Sequence, residues 1–209
     1  MVDSQQKHKN MNIVFDMGNV ILDYDPSRIV SRAFQNSADQ ELFLKEIFQS
    51  ESWRLLDQGM LTFEEHNQQL AARFPQFADK IDWILQNWHK DQPYIPGICD
   101  LIERLDTAKF DLYLLSNANS RYYTFESYME IFKRFKGITL SSDLKLIKPQ
   151  QEIFEKFCEI YQLIPADCLF IDDQLDNVRA AQQAGWHAYQ FEGVGELKNF
   201  LSNVLKLSF

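Results

Sequence analysis

Glycine and proline are scarce here, seven and six residues in 209, which excludes a collagen-like, low-complexity or linker-dominated chain. Cysteine is scarcer still. Cys99, Cys158 and Cys168 are odd in number, far apart and set among apolar neighbours, so they offer neither a disulfide framework nor metal-ligand spacing and point to a reducing cytoplasm. The histidines, His8, His66, His89 and His187, form no ligand spacing either. No run approaches the ~20 apolar residues that span a bilayer. The first ten residues, 1–10, are polar, lack the apolar run of a secretion signal, and read as a mobile tail ahead of Met11. Basic residues are outnumbered 21 to 30, a formal net charge of −9. That argues against nucleic acid or an anionic membrane as partner. It leaves a small phosphorylated metabolite open, because one lysine and a metal can dominate a single pocket. A Gly-rich phosphate loop, Gly-x-Gly-x-x-Gly and His-Glu-x-x-His are all missing.

What is present is apolar material: 45% hydrophobic residues, with Phe alone occurring 17 times, enough for a substantial core. Five short apolar runs end in polar turns and alternate with helical sequence: Asn12–Asp16, Leu112–Leu115, Gly137–Leu140, Cys168–Ile171 and His187–Phe191. This rhythm predicts an α/β fold, a doubly wound parallel sheet covered on both faces. Helices are expected at about Gly97–Asp106, Gln151–Tyr161 and Asn177–Ala184, the last stopped by Gly185. Residues 26–93 break the rhythm. They carry helical apolar patterns but no convincing strand, so they read as a helical insertion, with 11–25 and 94–209 forming the core domain. Pro93 and Pro96 mark the return to the sheet. Aromatics of the insertion such as Trp53, Phe63, Trp83 and Trp88 read as its core more readily than as a sugar platform.

Four segments at predicted strand ends carry chemistry, the place where doubly wound sheets bind ligands. Phe15-Asp16-Met17-Gly18-Asn19-Val20 puts a carboxylate at the end of a buried strand before a glycine turn. Such a group can attack phosphorus, or merely hydrogen-bond the turn. Ser116-Asn117 can bind phosphate oxygens through a hydroxyl and backbone amides, or be an ordinary turn. Lys148-Pro149 offers a point charge ahead of a helix, although most lysines are solvated. Asp172-Asp173 places two carboxylates side by side, which repel unless a cation relieves them. Hard oxygen ligands of this kind suit Mg²⁺, while Asp176 or Asn177 is the expected cap of the following helix.

In order and setting, the four segments resemble the motifs of the haloacid dehalogenase-like superfamily, from about Asn12 to Phe191. The position of the insertion, with its Gly59–Phe63 turn, resembles the helical-cap branch. The Asp16-Met17-Gly18-Asn19-Val20 opening resembles a bacterial subgroup that includes α-D-glucose-1-phosphate phosphatase. The resemblance implies Asp16 as nucleophile and Mg²⁺ ligand, with Ser116 and Asn117 on the transferring phosphoryl oxygens. It implies Lys148 as their neutraliser, and Asp173, Asp172 and the Gly18 carbonyl around the metal. It also exposes a departure. Most phosphatases of the superfamily carry a second Asp two residues after the nucleophile, as general acid and then base, and here that position is Gly18. Asp23, Asp25 or His66 could substitute. A leaving group needing little protonation would also suffice, which favours an anomeric sugar phosphate such as glucose 1-phosphate. Two other readings stay open: a metal-independent haloacid dehalogenase, which also lacks the second Asp but would leave Asp172-Asp173 uncompensated, and a catalytically weak regulator that binds a phosphorylated metabolite.

Overall fold

The computed structural model describes residues 11–90, 92–125 and 129–207; the N-terminal tail expectation lies outside them. Five strands, β1 (Asn12–Phe15), β2 (Asp111–Ser116), β3 (Gly137–Leu140), β4 (Cys168–Asp172) and β5 (His187–Gln190), form one sheet in the order β3-β2-β1-β4-β5. Every pairing is parallel, so the sheet must be covered on both faces. The period-2 alternation of side chains divides its residues between two cores. Ile13, Phe15, Leu112, Leu114, Leu169 and Ile171 point to one face. There they meet Ile98, Leu101 and Leu105 of α6 (Ile98–Thr107) and Leu197, Leu201 and Leu205 of α9 (Val194–Leu205). Val14, Tyr113, Leu115 and Phe170 point to the other, against Ile153, Phe154 and Phe157 of α7 (Gln151–Tyr161) and Ala180 and Ala181 of α8 (Leu175–Gln183).

The strands lie within one residue of the runs read from sequence. One helical expectation needs correction, and one helix was not expected. The helix after β4 starts at Leu175 with Gln174 as an N-cap whose side chain makes no capping bond. Asp176 is in its first turn, and the Asn177 side chain faces inward to Asp172. The last helix, α9, had no counterpart in the sequence reading; its apolar residues continue a fold whose strand rhythm had already ended.

Between β1 and α6 the described residues form five α-helices, α1 (Ser27–Ala33), α2 (Ser37–Phe43), α3 (Glu51–Asp57), α4 (Phe63–Arg73) and α5 (Ala78–Asn87), with a π-helical stretch at Leu44–Phe48. They share a separate core of Phe34, Phe43, Ile47, Leu70, Ile81 and Ile84. The start of α4 is locally encoded: the Thr62 side chain caps Glu65 N and the Glu65 carboxylate returns to Thr62 N, a reciprocal capping box. The preceding Gly59 has φ +70°, and a Cβ there would lie 2.3 Å from the Ser142 carbonyl oxygen. The insertion therefore approaches the sheet domain through backbone at this turn, a contact only glycine permits.

His66 is fully buried in this helical core, 6.1 Å from the Trp53 ring, and neither ring nitrogen has a hydrogen-bond partner among the described residues. Burial lowers its imidazole from 6.5 to about 4. The unfolded chain therefore takes up a proton near pH 6.5 that the folded chain refuses until about pH 4. Stability from this site is complete above 6.5 and falls as pH drops through that window, by up to about 3 kcal/mol. His66→Leu, which also removes two unpaired polar atoms, is expected to match or exceed wild type at pH 7 and to widen its lead at pH 4.5. Urea midpoints measured at both pH values check this, and parallel pH profiles for the two proteins would refute it.

Candidate active site

Strand register assembles the site. Phe15 of β1 pairs with Leu114 of β2 and Ile171 of β4, so the next residue of each strand, Asp16, Leu115 and Asp172, arrives at the same level. The Asp16 backbone N–H donates to the Ile171 carbonyl (2.9 Å), fixing it at the centre of the carboxyl edge, where the strand order reverses direction. Beyond it, the left-handed residue of the turn is Asn19 (φ 55°) and not Gly18. Asn19 tolerates this because its side-chain oxygen accepts from Tyr24 N (3.1 Å). The turn's backbone bonds use the Met17 carbonyl and the Asn19 amide; among the described residues none engages the Gly18 carbonyl.

Lys148 is buried in the middle of the cluster. Its Nζ donates to Asp172 Oδ2 (2.7 Å) and the Leu115 carbonyl (3.1 Å) and lies 2.9 Å from Asp16 Oδ1. This last contact is a buried ion pair, which makes Lys148 the partner of Asp16 Oδ1. Burial alone would lower the Lys148 ammonium, but Asp16 and Asp172 outweigh it and hold it above the ordinary lysine range. Burial pushes the Asp16 carboxyl up to about 6; Lys148 opposes the rise and Asp172 adds to it. Asp172 is fully buried and accepts further bonds from Gln174 N (2.8 Å) and Asn177 Nδ2 (3.0 Å to each oxygen). Asp173 is more open. One of its oxygens accepts from Gln174 Nε2 (2.6 Å), and burial followed by the nearby Asp172 raises its carboxyl.

Asp16, Asp172 and Asp173 offer ligand oxygens all within 4.8 Å of one another. Three carboxylates against the single ammonium of Lys148 leave a surplus of two negative charges when ionised. That surplus of negative charge fits a hard divalent cation such as Mg²⁺.

The other expected residues divide. Ser116 is buried at the end of β2 and lines the cleft beside Asn117. The Asn117 side chain is committed to the lysine segment: its Oδ1 accepts from Lys148 N (2.8 Å) and its Nδ2 donates to the Lys148 carbonyl (2.9 Å). It holds the lysine segment in register, leaving its backbone amide as the group that could meet a phosphate. The three substitute acids fare worse. Asp23 pairs with Arg28, Asp25 holds Ser27 N and Oγ, and His66 is sealed in the helical core. None lines the cleft.

That cleft, ≈ 250 Å³, lies between the strand ends and the helical insertion. Gly18, Ser116 and Asn117 form its floor, with Trp53, Asp57 and Trp88 among the residues over it. Trp53 and Trp88 thus serve both the helical core and the cleft, whereas Trp83 is exposed on the outside. Asp57, the last residue of α3, escaped the sequence reading. The signal available was its place two residues before the Gly59 turn, the point where the insertion touches the sheet domain.

The solved structure of a HAD family enzyme from Bacteroides thetaiotaomicron in complex with magnesium and inorganic phosphate superposes with a TM-score of 0.68, at 24% identity over 88% of this chain and 95% of that one. A HAD-hydrolase from Bacillus subtilis, bound to magnesium and described by its interdomain movement, gives 0.69 at 25% identity over 94% and 99%. In sequence, the chain is 26% identical over 206 residues to a D-ribitol-5-phosphate phosphatase from Bacteroides thetaiotaomicron, covering 93% of this chain and 98% of the relative. The family described as haloacid dehalogenase-like hydrolase matches residues 11–185, most of the chain, and to that family the protein belongs.

Proposed function

We propose that this hydrolase is a Mg²⁺-dependent phosphatase for a small phosphorylated sugar or polyol, acting through a covalent aspartyl-phosphate on Asp16. The observation that carries the reading is the Asp16 carboxylate: buried at the strand edge, ion-paired to Lys148 at 2.9 Å and within 4.8 Å of the Asp172 and Asp173 carboxylates. A carboxylate held in this way at the mouth of the sheet can attack phosphorus. Bound Mg²⁺ would be held by Asp16, Asp173 and the Gly18 carbonyl, with Asp172 behind them, and would supply neutralising charge to the phosphoryl group. Lys148 adds a second fixed charge, and the Ser116 hydroxyl and Asn117 amide orient the phosphoryl oxygens, so catalysis is positioning and electrostatics. The helical insertion is the cap that closes over substrate.

The cleft of ≈ 250 Å³ is below the roughly 300–1,000 Å³ of sites for drug-sized ligands, which suits a single sugar or polyol between the indoles of Trp53 and Trp88. The relative named for D-ribitol-5-phosphate supports the class, and the opening motif brings glucose 1-phosphate into it. Both compounds, with p-nitrophenyl phosphate as a general probe, should turn over with Mg²⁺ and not with EDTA. Asp173→Ala should weaken the Mg²⁺ requirement curve by tenfold or more and recover at high Mg²⁺. Asp172→Ala should not recover, because it unseats Lys148. Undiminished activity in EDTA would revive the dehalogenase reading, and phosphate binding without turnover would support the regulator.

A further inference from the structure

The position that should bear the acid–base carboxyl is Gly18, and nothing in the backbone demands glycine there. Its φ is not in the left-handed region, and a Cβ would meet only the Tyr24 Cβ, at 3.7 Å, an ordinary contact. The space a side chain would occupy opens into the cleft, and the one carboxylic acid lining that cleft among the described residues is Asp57. Its position is set from the sheet domain. The Asn119 side chain, just after Ser116-Asn117, donates to Asp57 Oδ1 (2.7 Å), and the Ser141 hydroxyl after β3 donates to the Asp57 carbonyl. Asp57 is thus carried by the cap but anchored to the same loop that presents Ser116 to the phosphoryl site.

Building on the phosphatase reading above, we propose that Asp57 is the general acid and base of the reaction, supplied from the cap in place of a side chain at Gly18. In the first half-reaction Asp16 forms the O–P bond, the ester P–O bond breaks, and the Asp57 carboxyl gives its proton to the departing oxygen, releasing the alcohol. In the second, the Asp57 carboxylate takes a proton from water as that water bonds to phosphorus. The Asp16–phosphorus bond breaks, phosphate leaves, and Asp57 is again protonated.

The surroundings of Asp57 suit both roles. Burial pushes its carboxyl up to about 7, against the opposing hydrogen bonds of Asn119 and Trp53. The titratable group facing it is Tyr24, from the segment after β1, whose hydroxyl is driven upward by burial and by the Asp57 charge; Asn119 and Trp53 are neutral. A carboxyl balanced near neutrality can give and retake a proton at working pH. With that donor in place an unactivated alcohol can leave, and the advantage of an anomeric phosphate disappears.

The test compares leaving groups with Mg²⁺ saturating. Ribitol 5-phosphate needs a proton on its departing oxygen; p-nitrophenyl phosphate does not. Asp57→Asn should lower kcat on ribitol 5-phosphate by about 10²–10⁴-fold, the range of acid–base assistance. With p-nitrophenyl phosphate it should give a burst of about one p-nitrophenol per enzyme, within tenfold of the wild-type rate, then stall because the phospho-Asp16 lacks its base. Gly18→Asp added to Asp57→Asn should restore ribitol 5-phosphate turnover at least tenfold. In wild type, kcat/KM for ribitol 5-phosphate should fall above a limb near pH 7 that the p-nitrophenyl burst lacks. A folded Asp57→Asn within threefold of wild type on both substrates would overturn the assignment. So would equal losses without a burst, or a wild type whose two substrates share one pH profile, a measurement that requires no variant to fold. A wild type with no Mg²⁺-dependent turnover on any of these substrates would instead reject the phosphatase reading itself.

Discussion

Asp16→Asn should reduce turnover on the order of 10⁴-fold or more, the scale on which loss of a covalent nucleophile is felt, while leaving the fold intact. The substitution changes one oxygen for an amide nitrogen of nearly the same size, so β1 and its pairing with Leu114 and Ile171 are untouched. The electrostatics change more. Asp16, Asp172 and Asp173 crowd within 4.8 Å around one ammonium, and without metal this repulsion costs stability. Removing one charge should therefore raise the thermal midpoint of the metal-free protein, the usual exchange of stability for function at a charged site. Wild type incubated with Mg²⁺ and beryllium fluoride should carry the adduct on Asp16, and the variant should carry none. If Asp16→Asn keeps more than a few per cent of wild-type kcat, or if the adduct forms elsewhere, the covalent mechanism fails.

Much of this site was legible because strand-end chemistry is written in sequence order. A buried apolar run ending in Asp16, another ending at Ser116 and a third ending at Asp172 had to converge once the sheet was parallel, since register alone brings their ends level. Lys148 was readable for a different reason: a lysine followed by proline at a helix entry is locally constrained. The partner of the Asn117 side chain was not legible, because sequence shows a side chain's capacity and not its partner: the backbone of Lys148, 31 residues away, claims both ends of its amide. The Asn177 side chain, expected as a cap, is drawn inward by the buried Asp172 instead of capping α8. Asp57 carried only the weak signal of the Gly59 turn beside it. Its position depends on how the helical insertion sits on the sheet domain, through Gly59 against Ser142 and Asn119 against Asp57 itself. Contacts between elements 62 residues apart leave no periodic signal. The acids that sequence proximity did suggest, Asp23 and Asp25, are instead used by Arg28 and Ser27 at the entry to α1.

Lys148→Met should be the most damaging single substitution for stability and also remove most activity, and the two losses can be separated. The lysine is buried against Asp172, which is itself fully buried, and its Nζ lies 5.0 Å over the Phe170 ring. Methionine fills the space but strands the Asp172 charge, and breaking a buried pair from one side typically costs about 3–5 kcal/mol. Turnover should fall on the order of 10³-fold, the scale of losing one fixed positive group aimed at developing charge. Lys148→Arg should rescue neither property, because a planar fork cannot reach Asp172, Asp16 and the Leu115 carbonyl from one compact centre. Adding Asp172→Asn to Lys148→Met removes the stranded charge, so the double variant should regain most of the lost stability while remaining inactive. Urea unfolding of wild type, both single variants and the double variant at pH 7, with EDTA present, measures this cycle. A Lys148→Met protein within about 1 kcal/mol of wild type would mean that Asp172 does not depend on the lysine. Activity returning together with stability in the double variant would show that Lys148 acts only as a support for Asp172, and not on the phosphoryl group.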